Sequence, residues 1–483
     1  MNIDKIKLAT GGILPESLKT EVIAKVDVLI VGGGSAGVTA AIAASEEGAK
    51  TLLLESSGRL GGMMTSGNAG LTNSIFHHKK QSEQHKIVEK LEDTPKQVQI
   101  VGGLPKKIMH ELMDKKYAVG THGTAGSYVF TSPVEFNWLL MDMMEEAGVQ
   151  MIFHAFAVDT VMKNDSISGI IIESKEGRQA ILADMVIDAS GDGDVAARAG
   201  ADFTIGVGSE DKAYIDNPKH AGKMDDLGVM YRLGNINIKK ALDYMDDHRE
   251  HFLIQILAKY SFAEVKKRFI QNEMICFSVK GKEIELQVYN SPQSGVVTLC
   301  CPSMKGNGLK LSDLSNAEIE MKNVIRKQLD DVRMIPGFDQ CILIDVPEIG
   351  VRETRHITGE YLLTVDDIQN STQFEDSIGR GSHTIDTNHI SESIKDKDIG
   401  DNWSFQIPYR CLVPKKIENL LVAGKCASFS HEAFGAARTT VQCMIMGEAA
   451  GVAAAMCIKN RKTPRTLSNK SLTTELVRRK VVI

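Results

Sequence analysis

Two stretches concentrate the side chains able to do chemistry. In VPEIGVRETRHITGEYLLTVDD, residues 346–367, Arg352, Arg355 and His356 fall close together beside Glu353. In FSHEAFGAART, residues 429–439, His431, Glu432 and Arg438 precede a long alanine-rich run. Guanidinium forks bind carboxylates through paired N–H donors and keep their charge at every physiological pH. An imidazole beside them titrates near neutrality and can carry a proton to or from a reacting atom. Arg352, Arg355, His356 and Arg438 are therefore the catalytic candidates, for orienting a small substrate and moving its proton. A carboxylate is the anion the arginines would hold. A structural Arg–Glu network between two domains is the alternative, and the sequence leaves it open. Arg410 in QIPYRCLVP and His383 in GRGSHTID read as loop-packing residues.

Metal and disulfide chemistry find little support. His248 and His251 are three apart, but in a charged helix-like stretch that reads as a solvated face, so no metal site is expected. The eight cysteines contain no CxxC or CxxxxC spacing, which argues against zinc, iron–sulfur and redox-dithiol sites and for buried thiols in a reducing compartment.

The reactive residues need a frame, and the frame begins at Val26. Val26–Val31 is a continuous apolar run, as expected for a parallel strand covered on both faces. Gly32, Gly34 and Gly37 then form GxGxxG, in which the glycines allow the tight turn, the approach of a pyrophosphate and close helix–strand packing. A helix follows over Ala36–Glu47. Its start, at Ser35 and Ala36, would present amides and a positive dipole end to phosphates. A second strand, Lys50–Leu54, ends at Glu55, an acid able to accept hydrogen bonds from an adenosine ribose. Ser56 and Arg59 adjoin it, and Glu55 argues against Arg59 as reader of a ribose phosphate. The unit predicts dinucleotide binding. After it, SSGRLGGMMTSGNAG brings Gly61, Gly62, Met63, Ser66 and Gly67 in a loop that lets backbone approach a long cofactor. Gly206-Val207-Gly208 and Gly306-Asn307-Gly308 lack the rest of the pattern, so no second unit of this kind, and hence no dedicated NAD(P)H domain, is expected.

Further along, MVIDASGDGDVA ends a strand in Ala189, Ser190, Gly191 and Asp192, with an acidic cap expected for the next helix, and NLLVAGKCASF ends another at Gly424. A long helix over Ala436–Cys457 carries Gly447 and Gly451 among alanines; its start, at Ala436 and Ala437, would present a positive dipole end to negative charge. Val441–Ile458 is long and apolar enough to suggest a membrane span, but Gln442 and Glu448 within it favour a buried helix.

The combination of VLIVGGGSAG, LLLESSGRLGGMMTSG, MVIDASGDGDVA and NLLVAGKCASFSHEAFGAARTTVQCMIMGEAAGVAAA resembles FAD-dependent oxidoreductases of the glutathione-reductase-type FAD fold. More narrowly, it is similar to the bacterial family of FAD-dependent oxidoreductases distantly akin to fumarate reductase flavoproteins. The resemblance implies noncovalent FAD and an α/β fold: a Rossmann-like FAD-binding domain, with a central parallel sheet and a smaller β-meander, plus an inserted α+β substrate or cap domain. It implies that the positions named from Gly32 to Asp192, with Gly424, Ala436 and Ala437, line the cofactor. In relatives an arginine placed like Arg438 clamps a substrate carboxylate, although the asparagine usual before it is missing here. Lys425 departs from the acid many relatives carry after the last glycine, which leaves the ribityl contact unassigned.

The expected division is 24–72, 131–204 and 346–460 for a discontinuous FAD domain and 205–345 for the cap. The stretch 73–130 is then an insertion and 461–483 a C-terminal extension. The expected activity is hydride transfer between flavin and a small substrate. An oxidase or monooxygenase using dioxygen, and an accessory electron-transfer subunit, stay open as alternatives. With 43% hydrophobic and 24% charged residues the chain reads as a soluble globular protein, and a net charge of −6 argues against nucleic acid as partner. The opening residues lack the pattern of a secretory signal, so a cytoplasmic location without membrane attachment is expected. The expected partners are the substrate and an external electron donor or acceptor, with self-association allowed. The basic tail Val477–Lys480 reads as a solvated helix end.

Overall fold

A computed structural model describes residues 17–68, 71–72, 99–120, 129–254, 263, 266, 276–280, 285–389, 391, 394 and 403–483. Its centre is a seven-stranded sheet. Across it run Gln150–Ile152, Thr51–Leu54, Glu21–Val31, Gly177–Asp188, Ser166–Ser174 and Phe156–Lys163, while Leu420–Val422 joins the far end of Gly177–Asp188. The first four and Leu420–Val422 are parallel; the last two turn back as an antiparallel meander. This is the Rossmann-like arrangement of α/β nucleotide-binding proteins.

Register determines what the sheet can hold. Val31 pairs with Leu54 and with Asp188, and Asp188 pairs with Val422. Four strands thus end on one row, and the segments after them leave from the same carboxyl edge. The ladder continues a step further, with Gly32 N donating to Leu54 O at 2.8 Å, Ala189 N to Val31 O at 2.9 Å and Ala423 N to Asp188 O at 2.9 Å. In parallel sheets that edge is where ligands bind.

Two helices lock the frame. Ser35–Glu46 is buried over nearly its whole circumference, and the long C-terminal helix Thr440–Asn460 lies directly on it. The approach is set by small residues: a side-chain carbon on Gly447 would fall 2.0 Å from Ala36 O, and one on Gly451 2.2 Å from Ala40 O. Thr39 Oγ1 bridges the pair to Met444 O at 2.8 Å. The helix of membrane-spanning length is thus a core element. The expected single helix from Ala436 is instead two, His431–Ala437 and Thr440–Asn460, because Arg438 and Thr439 form a break with Thr439 extended as N-cap.

A second core lies in a six-stranded antiparallel sheet, ordered Phe252–Ile254, Cys276–Lys280, Glu285–Asn290, Val297–Met304, Leu227–Gly234 and Ile342–Asp345. Helix Leu311–Val332 presents Met321, Ile325 and Leu329 to Tyr231, Leu233 and Leu299 there. Of the helix-like stretch 237–260, Ile238–Asp247 is helical, Phe252–Ile254 is a strand of this sheet, and residues 255–260 lie outside the described residues. Among the described residues the segments around the two sheets touch at several points, Gln293 donating to Glu135 at 2.9 Å among them. Asn68 donates to Asp345 at 2.7 Å, where Arg232 also pairs, and a side-chain carbon on Gly350 would meet Met63 Cε at 2.6 Å.

The chain's less regular parts bring one addition and one correction. Within 73–130, helix Gly103–Asp114 buries Leu104, Ile108, Met109 and Leu112; the polar residues around this stripe had masked it. At the C-terminus only part of the basic tail is solvated. Arg479 is 9% exposed and pairs with Glu46, Glu47 and Glu448 at 2.5, 3.1 and 3.2 Å. Helix Asn469–Arg478 brings this charge back over the first helix, a long-range placement that local composition does not report.

Candidate functional site

The glycine turn separates into a packed part and an open part. Gly32 has φ +106°, and a side-chain carbon there would lie 2.4 Å from Ala189 O; one on Gly37 would lie 1.7 Å from Gly32 O. At Gly34 nothing lies within 4 Å. The open position fronts a helix whose start has no side-chain cap and no acid in its first turn. Uncapped amides, a positive dipole end and free space suit a phosphate, so these residues fit the pyrophosphate of the expected cofactor.

Glu55 closes one side. Its carboxylate accepts from Gly33 N at 2.6 Å and Ser57 N at 2.7 Å, with Ser56 Oγ at 3.2 Å. Arg59 is exposed beyond it. The following loop returns against the turn, with Gly61 N donating to Gly33 O at 2.8 Å. A side-chain carbon on Gly62 would meet Gly34 Cα at 3.1 Å. Met63 is 42% exposed, Ser66 is half-buried and Gly67 is buried beside Met63. Thr440 Oγ1 lies 3.4 Å from Met64 Sδ, so this loop reaches the start of the last long helix. Gly424 closes the other side: a side-chain carbon there would touch Ala36 Cβ at 3.3 Å and Cys443 Sγ at 3.9 Å. Ala436 and Ala437 are fully buried nearby in sequence.

The turn from Ala189 to Gly193 differs from expectation. Asp192 does not cap the helix Asp194–Arg198; its carboxylate accepts from Lys425 Nζ at 2.5 Å and Thr354 Oγ1 at 2.7 Å. The buried Asp188 does that work instead, accepting from Ala196 N at 2.8 Å, Ser190 N at 3.1 Å and Ser190 Oγ at 2.7 Å. Burial raises its carboxyl above the usual range despite these donors. Lys425, the unusual residue after the last glycine, thus has a partner. It holds the turn through Asp192, and the sequence alone shows no link across the 233 positions between them.

The four catalytic candidates fall into different surroundings. Arg355 donates to Asp194 Oδ1 and to the Asp192 carbonyl, both at 2.9 Å, and its guanidinium lies over Phe203. Arg352 donates to the Asp226 carbonyl at 2.9 Å and lies against Gly228. These two arginines hold backbone and acid in place. Arg410 does likewise with Asp376, and the His383 ring faces the Thr384 carbonyl. His356 and Arg438 belong together through a buried network. His356 Nε2 and His431 Nδ1 meet the same Glu353 oxygen at 2.8 and 2.7 Å, all three residues being at most 2% exposed. His431 Nε2 meets Thr387 Oγ1 at 2.6 Å, which donates to Asp225 Oδ1 at 2.8 Å. Arg438 lies 3.8 Å from Asp225 and 3.1 Å from Asp386, over the face of Phe434. Buried nitrogens remain unpartnered at His356 Nδ1, Arg438 Nε and Arg355 Nε.

Electrostatics follow the geometry. Burial alone would raise the Glu353 carboxyl, but hydrogen bonds and charge from His356 and His431 outweigh it and hold it at about 2. Burial alone would push His431 down, but Glu353, Asp225 and Asp211 outweigh it and raise it. Glu432, next in sequence, is pushed up to about 8 by burial and by Asp211. Glu353 and His431 were visible in the sequence as neighbours of the candidates. Asp225, Thr387 and Asp211 carried no signal, since each lies far along the chain in a loop.

The family model for FAD dependent oxidoreductase matches residues 27–476. A curated relative, thiamine thiazole synthase of Methanococcus vannielii, is 26% identical over 209 residues, covering 41% of this chain and 69% of its own. Among solved structures, a geranylgeranyl bacteriochlorophyll reductase-like protein from Thermoplasma acidophilum aligns over 95% of this chain and 84% of its own, with TM-score 0.42 and 14% identity. The p-nitrophenol 4-monooxygenase of Pseudomonas putida DLL-E4 aligns over 94% and 84%, with TM-score 0.42 and 10% identity.

Proposed function

The chain belongs to the FAD dependent oxidoreductase family, with FAD as its cofactor, and from that premise we propose that it transfers a hydride between flavin and a small carboxylate-bearing substrate. When bound, the flavin supplies a ring that takes up or gives two electrons with a hydrogen. Kinship with fumarate reductase flavoproteins, a cytoplasmic location and an external electron donor or acceptor are part of the same reading, as is the sheet within 205–345 as cap.

The chain's own residues divide the work. Amides at Gly34, Ser35 and Ala36 hold the pyrophosphate, and Glu55 takes the adenosine ribose. Arg438 orients the substrate: Asp225 and Asp386 fix its far edge, while its buried Nε–H lacks an acceptor that a carboxylate would provide. His356 holds or accepts the substrate proton at Nδ1. Its Nε2 faces a carboxylate, so Nε2 carries the hydrogen and Nδ1 presents a lone pair. The observation that carries the proposal is this pair of unmet buried nitrogens, a donor and an acceptor, joined by one network. Arg352 and Arg355 serve as positioning residues for the strand Arg355–Ile357 and its approach.

Arg438→Met tests the reading. Losing charge-assisted hydrogen bonds of about 1.5–3 kcal/mol each lowers kcat/KM by roughly 10- to 150-fold, with bound FAD unchanged. The assay is anaerobic loss of the oxidised flavin band on titration with hydroxy, amino and unsaturated acids. Equal bleaching by wild type and variant would refute the assignment.

A further inference from the structure

The buried network extends well beyond the two groups just assigned. From His356 it runs through Glu353, His431 and Thr387 to Asp225, every contact between 2.6 and 2.8 Å. The His389 ring lies 6.2 Å from that of His431, and the His220 ring 5.4 Å from that of His389. His431 is fully buried, whereas His389 and His220 are half-buried. The row therefore leads from the interior toward solvent.

Hydrogen counting defines its charge. Asp225 also accepts from Asn388 N at 2.8 Å and lies near Arg438, so it is a carboxylate and only accepts. The single Thr387 hydroxyl hydrogen goes to it. His431 must then donate to Thr387 through Nε2 and to Glu353 through Nδ1, which makes it an imidazolium. Asp225, Glu353 and His431 have donor atoms within 4.8 Å of one another, the spacing of a metal site. An imidazole with both nitrogens protonated offers no lone pair, and Arg438 repels a second cation. The cation this cluster holds is a proton.

We propose that His356, Glu353, His431, Thr387 and Asp225, continued by His389 and His220, form a proton relay between the hydride-transfer site and solvent. This rests on the hydride reading above. When a substrate carbon loses a hydride, its C–H and the adjoining O–H or N–H break and a C=O or C=N bond forms. The hydride goes to the cofactor and the remaining proton to His356 Nδ1. The Nε2 hydrogen of His356 then passes to Glu353, and with that carboxylate neutralised the His431 imidazolium releases its own Nε2 hydrogen outward through Thr387 and Asp225, so that one proton enters the row as another leaves it. The reverse direction delivers a proton by the same steps. Groups facing His431 are Glu353, Asp225, Asp211 and His389, with Arg438 behind Asp225 and Lys223 near His389. Glu353, His431 and Asp225 are positioning residues, acting through His356.

The test separates the relay from the substrate assignment by using no organic substrate. FAD-loaded protein, photoreduced without oxygen, is mixed with ferricyanide, which takes electrons and no proton. Recovery of flavin colour and release of protons to phenol red are followed together in weak buffer. In wild type the two coincide. In His431→Gln and His389→Gln proton release lags colour recovery at least tenfold, and added imidazole restores it in His389→Gln. Proton release that keeps pace in both variants overturns the relay, whatever the outcome with Arg438→Met. Should His431→Gln fail to retain FAD, His389→Gln and His220→Gln, at half-buried positions, decide the matter by the same lag.

Discussion

Gly34 offers a way to separate what the glycine turn does for the fold from what it does for the cofactor. Its backbone is extended, with φ −71° and ψ −174°, a conformation open to any residue, and a side-chain carbon there meets nothing within 4 Å. For the protein without FAD, Gly34→Ala loses about 1 kcal/mol or less of capping preference and regains about 0.4–1 kcal/mol from a less flexible unfolded chain. The two nearly cancel, so Tm of the apoprotein moves by only a few degrees. FAD affinity responds differently, because the methyl group occupies the space in front of the helix amides. Loss of one or two charge-assisted hydrogen bonds, at about 1.5–3 kcal/mol each, weakens binding by roughly 10- to 10⁴-fold. Gly34→Val falls at the upper end. Gly37→Ala is the contrast: with a carbon 1.7 Å from Gly32 O, overpacking lowers stability itself, by about 1–3 kcal/mol or more. Calorimetric titration of FAD into each apoprotein, beside thermal melts, reads both quantities. Unchanged FAD affinity in Gly34→Val, or an apoprotein as unstable as Gly37→Ala, would refute the division.

Other consequences follow from particular contacts. Gly447→Leu or Gly451→Leu forces the two core helices apart, and chemical denaturation should show at least about 1–3 kcal/mol lost. Burial raises Glu448 to about 7, because Arg479 divides its charge among three acids and offsets little of that burial. The folded protein then holds a proton that the unfolded chain releases, so this contribution is complete below about pH 4.5 and disappears as pH rises through 7. Glu448→Gln should flatten denaturation midpoints across that window; an unaltered slope would contradict the assignment. Lys425→Met leaves Asp192 with Thr354 alone, and FAD should dissociate faster, as measured by flavin fluorescence on dilution; an unchanged rate would place this pair outside the cofactor's reach.

Legibility in the sequence tracked the distance over which each interaction acts. Strand, glycine turn and helix over residues 21–46 repeat a local pattern that steric rules dictate, and the acid at Glu55 follows from it. The parallel sheet was readable because its strands are continuous apolar runs. The meander, expected from the resemblance, is built by Phe156–Lys163, Ser166–Ser174 and Gly177–Asp188. Helix Gly103–Asp114 escaped because its apolar stripe is short and flanked by charge. The site was half legible. Arg438 and His356 stand out as residue types, but the network around them includes Asp225 and Thr387, loop residues with no periodicity. The partners Arg355 finds through its Nη1, Asp192 and Asp194, lie 163 and 161 positions away, beyond the reach of its charge-rich sequence neighbourhood.

A structure of the protein with FAD bound tests the account most directly. The pyrophosphate is expected against the amides of Gly34 and Ser35, and the flavin ring beside Met63 and the start of helix Thr440–Asn460, with Arg438 and His356 Nδ1 facing the space above it. A ring lodged out of contact with Met63 and Thr440, with Arg438 and His356 turned to unrelated parts of the protein, would contradict it.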